Sequence, residues 1–294
     1  MGYDIYYWLQ AVVNGLMNGG VYALIAVSMT LVFGVLRLVN FAHGALVTVG
    51  MYLSLTLFEA PFGINPYLAL IPGLALLFGF GWVLYVGLLD RIMKAPLLMQ
   101  LTFTLGLLVV LEASMEMIWH NDPRRVRIVG MASRIEFGEL YVSQSRLIAF
   151  VAALVLAGLF WAMLRYTWRG AAISAAAQNP DAAQLVGIPR RSTLAFTFAI
   201  ATAATGAAGM LLAPFVTMFP YVGHSFLGAA FAAMVIGTEG NILGALVGGI
   251  LVGLAEALGA TWMGDNYKDA FVFGMVLIML ILRPEGLFRA KSGV

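Results

Sequence analysis

Apolar residues run in long blocks along this chain, and the polar positions gather in the gaps between them. The blocks cover Ala11–Leu38, Ala45–Phe58, Tyr67–Leu89, Pro96–Trp119, Leu147–Leu164, Leu194–Met218, Ser225–Ile236, Ile242–Ala260 and Ala270–Leu282. A membrane-crossing helix needs about 20 mostly apolar residues, and most of the blocks are of that order. Ala45–Phe58 and Ser225–Ile236 are short, which suits half-helices whose polar entries are buried in protein. The pattern predicts an all-α integral membrane protein, a polytopic helical bundle of about eight or nine membrane segments with some broken or half helices. Residues 1–294 read as a single transmembrane domain.

Glycines mark where helices should pack closely. Gly15 and Gly19 lie in GxxxG spacing, as do Gly240, Gly244 and Gly248, and again Gly249 and Gly253. Such small-residue faces let backbones approach in lipid. Tyr3, Tyr6, Tyr7 and Trp8 lead into the first block and suit the headgroup layer. That block has no basic stretch before it and no small-residue cleavage site, so it reads as a retained span and not a signal peptide.

Composition narrows the chemistry. The chain is 62% hydrophobic and 10% charged, with a mean hydropathy of +0.95, whereas soluble domains carry about a quarter charged residues. The net charge of +2 sits in loops and gives no nucleic-acid signal. There is no cysteine, so no disulfide or thiol chemistry. His43, His120 and His224 are far apart and lack metal-ligand spacing. No catalytic residue, metal or cofactor is expected. The lysines are Lys94, Lys268 and Lys291, none of them in a Gly-x-x-x-x-Gly-Lys-Ser/Thr loop. The chain cannot bind ATP by that device, so energy must come from a partner or a gradient.

Two polar segments stand out, 120–146 and 167–193. With the second and the C-terminal tail placed inside, Arg37, Arg91, Lys94, Arg165, Arg169, Arg190, Arg191, Arg283, Arg289 and Lys291 face the cytoplasm. Arg124, Arg125, Arg127, Arg134, Arg146 and Lys268 then lie outside. The bias, ten to six, favours this orientation. It makes 167–193 a cytoplasmic loop and 120–146 an extracytoplasmic one. Within the cytoplasmic loop, Asp181-Ala182-Ala183-Gln184-Leu185-Val186-Gly187 predicts a short amphipathic helix. Asn179-Pro180-Asp181 supplies the start; Gly187 and Pro189 supply the stop. Its small faces would let another protein approach.

The spacing of that helix resembles the EAA-x-x-x-G loop of ABC-importer permeases, with Asp181 in the place of Glu. GGVYALIAVSMTLVFGVLRLVNFAHGALVTVGMYLS resembles the opening block of the permeases that import branched-chain amino acids; AAAQNPDAAQLVGI and the closing runs GALVGGILVGLAEAL and YKDAFVFGMVLIMLILRPEGLF are also similar. One departure is Gly237-Thr238-Glu239-Gly240-Asn241, where the family usually has a Gly-Gly-x-Gly-Ser turn. The resemblance implies a permease subunit in a bacterial or archaeal cytoplasmic membrane. Its expected partners are a second homologous permease, two cytoplasmic ATPases, an extracytoplasmic substrate-binding protein and membrane lipid. It implies coupling to the ATPases through Asp181, Ala182, Ala183 and Gly187. The solute would be a branched-chain or related amino acid, or, in the same importer type, urea, an amide or a small carboxylate.

Other residues carry two readings each. Asn40 and His43 either line a polar pathway or cap a helix break. His224 opens a second short block much as His43 opens the first, so it joins them as a pathway candidate. Arg124, Arg125 and Arg127 either receive acidic lobes of a binding protein or are simply solvated. Glu112 and Glu116, four apart on one helical face, suit a solvated or Arg-paired role. The rival to an importer subunit is a self-contained secondary transporter or channel, which has no need of a small-residue docking helix.

Overall fold

A computed structural model describes residues 5–59, 61–128 and 134–288, without the side chains of 134 and 137. Tyr3, Arg289 and Lys291 lie outside the described residues. Among the described residues, six helices are long and apolar enough to cross a membrane: α1 (Ile5–Leu36), α3 (Leu70–Ile92), α4 (Leu97–Trp119), α5 (Gln144–Tyr166), α8 (Arg190–Leu212) and α10 (Ile242–Met263). Shorter apolar helices are α2 (His43–Phe58), α9 (Gly223–Gly237) and α11 (Lys268–Leu282). Between α5 and α8 lie α6 (Trp168–Gln178) and α7 (Pro180–Leu185). A two-stranded hairpin, β1 (Arg134–Phe137) and β2 (Leu140–Ser143), precedes α5.

The blocks of the sequence thus become helices, most of them within about three residues of their expected bounds, though the block expected to run to Met218 ends at Leu212 and Met218 pairs with Arg124 instead. The aromatic lead is itself helical, so α1 starts at Ile5 and not at Ala11. The hairpin was not visible in the hydrophobic pattern. Its pairing, Arg134 with Ser143 through Phe137 with Leu140, turns at Gly138, whose φ of +66 favours glycine. The Gln10 side chain then docks it on α1. Its amide donates to the Tyr141 carbonyl at 2.9 Å and accepts from the Tyr141 N–H at 3.0 Å, as a neighbouring strand would.

Burial separates a core from a rim. In α8, 94% of the most apolar window is buried, and in α1 83%; in α5 it is 22%. α1 packs on α5, α8 and α10, and α8 on α2 and α3. Small residues permit this. A Cβ at Gly253 would strike the Gly19 backbone, and one at Gly50 would strike the Gly206 carbonyl. The rim helices carry exposed Leu, Val, Ile and Met, among them Ile71, Val109 and Val155, as lipid-facing or partner-facing helices do.

α2 and α9 meet at their N-termini, where a Cβ on Gly44 or on Gly223 would strike the other's carbonyl. His43, at the start of α2, bonds Ser28 and Thr205, which lie well inside α1 and α8. α2 therefore begins within the bundle, and α9 begins beside it with His224 and Ser225 exposed.

Candidate coupling and translocation sites

Thr167 opens the α6–α7 end of the molecule. Its hydroxyl accepts from the Gly170 N–H at 3.1 Å and caps α6. Asn179 does the same for α7, accepting from the N–H groups of Asp181 at 3.1 Å and Ala182 at 3.0 Å, with Pro180 at the first helical position. The stop is equally local. Gly187 has a φ of +87, its N–H bonds the Gln184 carbonyl, and the Ile188 N–H bonds the Ala183 carbonyl. This is a Schellman closure, which satisfies carbonyls the short helix would otherwise leave free.

The four expected coupling residues take different places. Asp181, Ala182 and Gly187 are exposed, whereas Ala183 is buried and seats α7 on its own chain. Beside them, Leu185 is 90% and Val186 77% exposed. The sequence reading passed over both, although an apolar pair just before a helix-stopping glycine was the available signal. Arg191 and Asp90 form an ion pair at 2.8 Å that ties the start of α8 to the end of α3, and the Arg169 guanidinium lies 4.3 Å from the Phe196 ring centroid.

Asn40 and His43 sit deep in the bundle. Asn40 caps the turn before α2, its side-chain oxygen accepting from the Ala42 N–H at 3.1 Å. His43 Nε2 lies 2.9 Å from Ser28 Oγ and 2.8 Å from Thr205 Oγ1. Those hydroxyls are 2.7 Å and 2.8 Å from the Ile25 and Ala201 carbonyls, to which they donate. The two hydroxyls are also 2.8 Å from each other, so the three groups share one small polar network, in which His43 Nδ1 is buried with no hydrogen-bond partner among the described residues. The seam beside Asn40, His43 and Phe231 has no room for a water molecule.

His224 lies elsewhere. It pairs with Glu112 at 2.9 Å and lines a cleft of about 440 Å³ near the hairpin end. The structure therefore does not bring the three pathway candidates into one cavity. Glu112 is only 5% exposed, in contrast to the solvated or Arg-paired role its spacing suggested. Glu116 accepts from the Tyr221 hydroxyl, and that bond is the main cause holding the Tyr221 phenol above its ordinary pKa.

Arg124, Arg125 and Arg127 come after α4. Arg124 and Met218 exchange backbone hydrogen bonds of 2.9 and 2.8 Å, which fastens this segment to the turn after α8. Arg125 donates to the Pro214 carbonyl at 3.3 Å. Arg125 and Arg127 are exposed and Arg124 is half-buried.

Residues 11–280 match the family described as branched-chain amino acid transport system / permease component. The chain is 32% identical to the high-affinity branched-chain amino acid transport system permease protein BraD of Pseudomonas aeruginosa, over 97% of this chain and 96% of that one. It is 30% identical to the permease protein LivH of Salmonella typhimurium, covering 98% and 97%. It is 31% identical to a probable branched-chain amino acid transport permease protein LivH of Methanocaldococcus jannaschii, covering 88% and 84%. No solved structure matches it. Read together with a bundle of membrane-length helices and a capped helix pair between two of them, these likenesses give one conclusion: the chain belongs to the branched-chain amino acid transport permease family, as a multi-pass membrane subunit of an ABC importer that leaves ATP hydrolysis to separate subunits.

Proposed function

We propose that this permease passes branched-chain or related amino acids into the cytoplasm, driven by two cytoplasmic ATPase subunits that dock on α6 and α7. The observation that carries this reading is the build of α7. It is a short helix fixed at both ends by its own sequence, yet it presents Leu185 and Val186 almost fully to solvent. A lone leucine on a surface is ordinary, but an adjacent pair on a helix rigidly capped by Asn179 and Gly187 is a knob shaped for a groove. The relatives, named as branched-chain amino acid transport permeases, support the substrate class.

In the same reading, Asp181, Ala182 and Gly187 border the docking knob and Ala183 holds it in place. Arg125 and Arg127, with Arg124 behind them, receive acidic groups of an extracytoplasmic substrate-binding protein. A second, homologous permease completes the pathway, because a polar path through lipid needs protein on every side. Asn40 and His43 stand at the closed middle of that path and His224 at its mouth.

Leu185→Arg tests the reading without disturbing the fold, since the side chain is already in water. Co-purification of the ATPase subunit with this permease should fall about tenfold or more, because a desolvated apolar anchor is replaced by a charge. Retention of the ATPase at the wild-type level would contradict it.

A further inference from the structure

The cleft that His224 opens onto has features the docking argument does not use. Its volume of about 440 Å³ falls within the roughly 300–1,000 Å³ usual for small-molecule sites. It is framed by the first turns of α5, α9 and α11 and the last residue of α8. All of these lie at the end of the bundle opposite α6 and α7. We propose that this cleft binds a zwitterionic amino acid with an apolar side chain on its way into the membrane; this rests on the transport reading above.

The charges argue for a zwitterion. Glu256 of α10 pairs through Oε1 with Lys268 Nζ at 2.9 Å. Its Oε2 is buried and has no hydrogen-bond partner among the described residues. Glu256 stands seven residues before the end of its helix, about 10 Å below the rim at 1.5 Å per residue. Arg146 enters from the first turn of α5. Its only hydrogen bond among the described residues is a long one of 3.4 Å to Asn14. Its guanidinium lies 5.7 Å from the Phe215 ring centroid and forms no ion pair among the described residues. Arg146, Glu256, Lys268 and Asp269 all line the cleft together with Tyr22, so both signs of charge face one site, and the Tyr22 phenol is a loose hydrogen-bond neighbour of the Glu256 carboxylate.

A half-buried guanidinium without a carboxylate in range and a buried carboxylate oxygen with only the loose Tyr22 neighbour are each costly. One ligand bearing both an ammonium and a carboxylate satisfies both. A simple anion or cation satisfies only one. The rest of the lining mixes the apolar side chains of Phe215, Phe226, Val272 and Phe273 with polar Asn18, His224, Ser225 and Asp269, so an aliphatic side chain finds an apolar wall beside the charged groups. The competing account is that Glu256 and Lys268 merely staple α10 to α11.

The test uses the complete importer in proteoliposomes with radiolabelled leucine as the probe. Assembly of each variant is read by co-purification of the partner subunits. Glu256→Gln should raise KM about tenfold or more in complexes that assemble. The exchange Glu256→Lys with Lys268→Glu should not restore it. 4-Methylpentanoate and isoamylamine, which each lack one charge, should compete at least tenfold less well than leucine. Ser225→Trp, at an already exposed position of the mouth, should block uptake even if the charge variants fail to assemble. Wild-type KM in Glu256→Gln, recovery in the exchanged pair, or free uptake with Ser225→Trp would overturn the cleft assignment while leaving the transport reading intact. Absence of wild-type leucine uptake would overturn both.

Discussion

Thr238 occupies a backbone position that the sequence had already set apart. It stands in the turn where the resembling family carries a second glycine, and its φ is +80. A β-branched residue in that region costs about 1–3 kcal/mol. Its hydroxyl donates to the Glu285 carbonyl at 2.9 Å, a bond with a net value of about 0.5–1.5 kcal/mol. The strain exceeds the bond, so Thr238→Gly should raise the thermal midpoint of the detergent-solubilised protein; a lowered midpoint would show that the tie to the C-terminal segment dominates. His43 gives the opposite case. Its ring is buried and bonds two hydroxyls from separate helices, so His43→Ala leaves a cavity and breaks a three-group polar network. A loss of about 3 kcal/mol is expected, seen as a drop in the fraction of folded, monodisperse protein. His43→Ala would therefore affect folding as well as transport, and a transport assay on it needs the folded amount measured beside it.

At the scale of elements, most boundaries were legible because lipid-length apolar runs and their polar breaks are a strong signal. Gly187 announced the end of α7, and the cap at Asn179 could be read from Asn-Pro-Asp. The hairpin was not legible, since its strands are only four residues each inside a polar segment and its docking depends on Gln10, a residue 131 positions away. The contact of α2 with α9 was visible only as a likeness between two short segments opened by histidine. What places them together is the pair Gly44 and Gly223, a tertiary fact. The same close approach governs α2 and α8 at Gly50 and Gly206. Gly50→Val should cost about 3 kcal/mol or more, because a side chain there meets backbone and not a side chain that can move. The check is the yield of folded protein by size-exclusion chromatography; wild-type yield would show that the helices can separate.

For the whole molecule, the sequence showed a multi-pass permease, and the structure adds how its ends differ. One end carries the capped knob of α7. The other carries the hairpin, the exposed Arg125 and Arg127, and the charged cleft. Between them the core of α1, α2, α8 and α9 is closed, with no room for water beside His43. The cleft residues were not legible because Arg146, Glu256 and Lys268 lie far apart in sequence, and each alone reads as a charge near a helix end. In the proposed reading, a partner docked on α7 moves the helices and opens the closed middle toward the cleft.

The most direct measurement is therefore leucine uptake by the reconstituted importer, with ATP supplied on the α7 side. The account expects accumulation against a gradient that needs ATP, this permease and an intact Leu185 together. Uptake by this chain alone, following an ion gradient without ATP, would contradict it.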